Sequence, residues 1–196
     1  MALNNYYKFG HLMKSDIAKD ENVNNFPGID EIHDPCLTKK FIYGNLNLLF
    51  YHVVNPIMEA FGETDIIITS AYRCRKLQRI MGGNLNSPHT RGQAVDITSL
   101  SRPTALLWNW CYYNLPIFNQ IIWEYPERGS ITNNINYEGL KDDFSWVHVS
   151  YINGNNPKTS SISTKREDVH EMYKSDTSTR IGDYTHNIIL ADDKLF

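Results

Sequence analysis

Two histidines and an aspartate are spaced so that a folded chain can bring them to one point. His89 and Asp96 lie seven positions apart in Ser87-Pro-His-Thr-Arg-Gly-Gln-Ala-Val-Asp96, and His148 follows in Trp146-Val-His148. On one straight strand His89 and Asp96 would be separated by roughly 20 Å, far beyond the reach of a shared ion. The chain must turn between them, and Gly92 permits the turn. Two imidazoles, one carboxylate and an open fourth position are the donor set of a catalytic zinc site. Such a site needs a further carboxylate as general base. Glu124 is the first candidate, with Asp142 and Asp143 as fallbacks. Arg73, just after a β-branched run, could bind a developing oxyanion or a substrate carboxylate. His11, His33, His52, His170 and His186 have no ligand-like spacing.

These side chains need strands and turns to hold them. DIIITS (65–70), QAVDITS (93–99), FNQIIWEY (118–125) and SWVHVSY (145–151) read as strands. Alternation puts Ala94, Asp96 and Thr98 on one face, with Val95 and Ile97 on the other. Trp146, His148 and Ser150 share a face in the same way, as do Gln120, Ile122 and Glu124. An antiparallel hairpin of the third and fourth strands, closed by a polar insertion at 126–143, would bring Glu124 near His148. Helices are expected over 37–61, where Pro56 would kink or divide the run, over 74–81, and over 103–114. Gly82-Gly83-Asn84 breaks the chain into a loop.

Residues 1–35 are polar and read as an irregular N-terminal arm with one short helix. Residues 36–153 form the domain proper. Residues 154–196 turn polar again and read as an appendage suited to docking against a partner.

Composition narrows the classes. The chain has 196 residues, a net charge of -3 and 41% hydrophobic residues. An acidic balance without a basic face argues against nucleic-acid binding. Three cysteines, Cys36, Cys74 and Cys111, without CxxC spacing, read as free thiols of a reducing compartment. The N-terminus lacks the basic and apolar regions of a secretory signal, and no apolar run reaches the roughly 20 residues of a membrane span.

Taken together, Ser87-x-His89-x-x-Gly92-x-Ala94-x-Asp96 and Trp146-x-His148 resemble the motifs of the zinc D-alanyl-D-alanine carboxypeptidase family. Ser70-Ala-Tyr-Arg73-Cys and Gly82-Gly83-Asn84 are similar to its Tyr-Arg strand end and Gly-Gly loop. The resemblance spans roughly residues 65–151. It implies an α+β fold, a small antiparallel sheet packed with helices, as in the related hedgehog domain. It implies Zn2+ held by His89, Asp96 and His148, and substrate contacts from Arg73, Tyr72, Ser87 and Trp146. Many members carry an acid three residues before the last histidine, where this chain has Ser145. Glu124 matches instead the hedgehog-like arrangement, with the acid at the end of the preceding strand.

The function implied is hydrolysis of an amide bond in peptidoglycan stem peptides, by a phage lysin waiting in the host cytoplasm or by a virion-borne wall enzyme. The alternative is a zinc-binding structural or docking component of a phage particle, with weak catalysis or none. The resemblance does not say which peptide bond is cut.

Overall fold

The computed structural model describes residues 7–28, 37–124 and 145–163. Five strands form one sheet: β1 (Ile66–Ser70), β2 (Ala94–Ser99), β3 (Gln120–Glu124), β4 (Trp146–Ser150) and β5 (Thr159–Ser163), in the order β1-β2-β4-β3-β5. The helices are α1 (Asp16–Asp20), α2 (Lys39–Leu49), α3 (Asn55–Phe61), α4 (Arg75–Ile80) and α5 (Thr104–Asn114). Short 3-10 turns lie at Phe9–Met13 and Pro88–Arg91. The class is α+β, as expected.

Alternation in the strands decides the two faces of the sheet. Val95, Ile97, Ile121, Trp123, Val147 and Val149 are buried on the core face, with the helical side chains Leu46, Leu49, Ile57, Leu107 and Trp108 in the same core. Each fully buried aliphatic side chain contributes about 1.5–3 kcal/mol, so a register slip that exposed this face would be strongly disfavoured. The face that carries Asp96, His148 and Glu124 is fixed by the same forces.

β3 and β4 pair antiparallel as the sequence predicts, with Ile122 opposite His148 and Glu124 opposite Trp146. β4 also pairs with β2, which sets Asp96 directly opposite His148. The sheet departs from the expected all-antiparallel form at β5, which runs parallel to β3. β5 lies within the stretch read as an appendage, and its Thr-Ser-Ser-Ile-Ser sequence has no apolar alternation to betray a strand. Backbone bonding fixes it instead. Asn119 anchors the crossover by donating to Asn155 O, and its own carbonyl accepts from Thr159 N at 3.0 Å.

The run expected to be kinked or divided by Pro56 is divided into α2 and α3 by a π turn at Phe50–Val54, just before the proline. The backbone stays right-handed through Phe50–Val54 by widening to a π turn, in which Asn55 N donates to Phe50 O. A wider turn relieves the contact between a proline ring and the preceding carbonyls. The N-terminal arm, irregular with one short α-helix at Asp16–Asp20, is packed against the rest of the domain. Tyr7, Leu12, Met13, Ala18 and Val23 are buried in the core, and Tyr7 Oη donates to Ile66 O. No helix among the described residues is long and apolar enough to cross a membrane. The expected insertion at 126–143, with Asp142 and Asp143, lies outside the described residues.

Candidate metal centre

The turn that presents His89 is built by Ser87, Gly92 and α2. Ser87 Oγ accepts from His89 N at 3.4 Å and caps the 3-10 turn. Gly92 closes the turn at φ +66, in the left-handed region that glycine adopts without strain. A Cβ there would meet the Ile42 carbonyl of α2 at 2.9 Å, so glycine also allows the turn to sit tight on that helix. Asn45 of α2 completes the docking by donating to Arg91 O at 2.8 Å.

Three side chains converge on the buried end of this turn. His89 Nε2 lies 3.1 Å from Asp96 Oδ1 and 3.1 Å from His148 Nδ1, and His148 Nδ1 lies 2.9 Å from Asp96 Oδ1. All three residues are buried and together could hold a metal ion. A tetrahedral zinc with bonds of 2.0–2.1 Å needs donors about 3.3 Å apart, close to these edges.

Protonation states favour a cation at that point. His89 Nδ1 sits 2.6 Å from the Ala71 carbonyl, which can only accept, so the ring proton is on Nδ1. Burial, aided by the Arg73 guanidinium, lowers the His89 pKa to about 4. Near neutral pH its Nε2 therefore offers a lone pair that faces a carboxylate oxygen with no proton between them. A bound cation turns that repulsion into ligation. The Ala71 carbonyl acts as the outer partner that orients the ring.

Asp96 divides its two oxygens. Oδ1 faces the histidines, while Oδ2 pairs with Arg73 Nη2. Burial works against ionisation of this carboxyl. The neighbouring charges, Arg73 among them, and the histidine hydrogen bonds override it and hold the pKa well below the usual range. Arg73 Nε donates to Ser70 Oγ at 2.8 Å and Nη1 to Gln78 Oε1 at 3.4 Å. Ser70 faces Asp96 because a bulge between Ile68 and Ser70 shifts the β1 register. Gln78 has its place because residue 83 is glycine, for a Cβ at Gly83 would land inside the Gln78 amide.

Glu124 lies on the same sheet face, diagonal to His148 across β3 and β4, where neighbours are roughly 7–8 Å apart and a long side chain can reach. It is buried, and its pKa rises to about 7. Burial is the main cause and the Asp96 charge adds to it, while His148, Arg73 and hydrogen bonding from Trp146 pull the other way.

The shift carries a stability consequence. In the metal-free protein the folded state holds the Glu124 proton between about pH 4.5 and 7, where the unfolded chain has released it. This group therefore makes stability fall as pH rises through that window, by on the order of 3 kcal/mol in full. His89 has the opposite sign, so its contribution rises with pH between about 4 and 6.5. We expect metal-free Glu124→Gln protein to melt higher than wild type above pH 7, with the advantage gone below pH 4.5. Thermal denaturation across that range reads the difference, and parallel curves would contradict it.

The structure thus gathers His89, Asp96, His148, Arg73 and Glu124 at one place. Trp146 stands beside Glu124 on the same face, half-buried. Ser87 is buried in the turn. Tyr72, expected at the substrate, is 2 % exposed and belongs to the core, because Tyr72 turns inward where Arg73 turns toward Asp96. Ser145, three residues before His148, is buried and offers only a hydroxyl. Sequence reading missed Ala71 O, Ser70 and Gln78, since a backbone carbonyl and two short polar side chains carry no spacing signal.

Residues 19–115 match the model of a protein family described as peptidase M15. Over those residues the chain is similar to the peptidase M15 family. This is a family of metallopeptidases, in keeping with the His-Asp-His cluster. The matched region includes Arg73, His89 and Asp96, and ends before β3. Glu124 and His148 are brought to the site by the sheet. No curated protein matches the chain.

Proposed function

We propose that this chain is a zinc-dependent hydrolase that cleaves an amide bond in peptidoglycan stem peptides. The convergence of His89 Nε2, Asp96 Oδ1 and His148 Nδ1 below a buried, proton-accepting Glu124 carries the reading. His89, Asp96 and His148 are the residues that would hold the ion. Zinc, when bound, supplies a Lewis acid that polarises a carbonyl and brings the pKa of water from 15.7 to about 7.

The remaining work falls to this chain's own groups. Glu124 takes a proton from the attacking water and delivers it to the departing amine nitrogen. Both transfers need a positioned group that can take up a proton and give it back, which a carboxylate does. Arg73 has five N–H donors, of which three go to Ser70, Gln78 and Asp96 among the described residues. The others are available to the carbonyl oxygen as it gains charge. A cleft of about 530 Å³ lies between residues 7–16 and the end of β1; Ser70 and Ala71 are in its wall, and Arg73 and the three metal-ligand candidates are not. The setting we propose is a phage lysin or virion-borne wall enzyme, supported by the family's wall-degrading members.

Incubation of the purified protein with muropeptides, followed by mass spectrometry, tests the reading. We expect products that have gained one water across an amide bond. Loss of a single D-alanine would define a carboxypeptidase, and opening of a cross-link an endopeptidase. No cleavage across several wall chemistries would refute the function.

A further inference from the structure

One side chain of the N-terminal segment grips the backbone on both sides of Arg73. Asn25 is 5 % exposed. Its Nδ2 donates to Tyr72 O at 3.0 Å and to Met13 O at 2.9 Å. Its Oδ1 accepts from Cys74 N at 2.7 Å. The bonds to Tyr72 and Cys74 bracket Arg73. Tyr72 N also donates to Leu12 O, and Arg73 N donates to His89 O at 3.2 Å. The peptide that carries Arg73 is therefore tied to the N-terminal segment on one side and to the His89 turn on the other.

This task calls for both a two-proton donor and a carbonyl acceptor, which only a carboxamide side chain combines. With the backbone fixed, Ser70, Gln78 and Asp96 can aim the guanidinium. We propose that Asn25 is a positioning residue for Arg73, which makes the N-terminal segment part of the active site. The proposal rests on the reading of Arg73 as the group that stabilises the oxyanion. Asn25 itself touches neither substrate nor metal.

The test uses the full zinc-loaded chain with Asn25→Ala and Asn25→Asp, each alone and combined with Arg73→Ala. Asn25→Asp keeps the acceptor for Cys74 N and loses both donated bonds, so it serves if the alanine variant does not fold. We expect zinc content to stay at the wild-type level while kcat falls by about ten- to a hundredfold with KM little changed, the scale set by misplacing a catalytic group. In the Arg73→Ala background the Asn25 change should lower kcat no further. An equal loss with and without Arg73, or no loss at all, would overturn the proposal. Should the wild type hydrolyse nothing, the peptidase reading fails separately. Exchange of the Arg73 Nε proton by NMR then still decides, since it should quicken in the Asn25 variants, and unchanged exchange would overturn the positioning role.

Discussion

Replacing Asp96 with alanine is expected to strip the chain of its metal and of hydrolysis together. The carboxylate is the only anionic member of the cluster, and it lies within 3.1 Å of both imidazole nitrogens. Its other oxygen neutralises Arg73. Without it, the two imidazoles would face a guanidinium that has lost its counter-charge, and the field at the site would repel a dication. The affinity loss should exceed the 10–100-fold typical of losing an outer partner, since a ligand itself is gone. Metal analysis after dialysis reads the result. A variant that kept wild-type zinc would place the ion elsewhere.

Glu124→Gln is expected to separate binding from chemistry. The amide matches the carboxyl in size and can still accept a hydrogen bond from Trp146, so the fold and the three donors should persist. The variant cannot take a proton from water. We expect zinc content equal to wild type and kcat lower by about 10²–10⁴-fold, the usual contribution of a positioned base. In the wild type, kcat/KM should fall as pH drops through the pKa of Glu124. That pKa is about 7 without metal, and a neighbouring dication pulls it lower. An undiminished rate in the glutamine variant would move the base to Asp142 or Asp143.

The metal cluster was legible in the sequence because strand geometry is so constraining. Once Val95 and Ile97 are assigned to the core, Asp96 must face the other way, and the same holds for His148 between Val147 and Val149. Gly92 signalled the turn that lets His89 return to Asp96. The hairpin register that brings Glu124 beside His148 followed from adjacency and matched strand lengths. β5 left no such trace, for an edge strand with three serines and a threonine in five residues is held by backbone bonds that any sequence can make. Pro56 marked a disturbance in the helix but not its form, because a π turn and a break both relieve the same contact. The couplings around Arg73 were hidden for another reason. Asn25 reaches its peptide from 47 to 49 positions away through a single amide. Ser70 turns to Asp96 only because of a bulge, which shows in the pairing register and not in residue type.

Chelation and restoration test the central claim most directly. The protein is stripped with a chelator, its hydrolysis of muropeptides is measured, and Zn2+ is returned to one equivalent per chain. The account predicts amide hydrolysis by the native protein, loss on stripping, and recovery that saturates near one equivalent in wild type but not in Asp96→Ala. Hydrolysis that persists undiminished in the metal-free protein would contradict it.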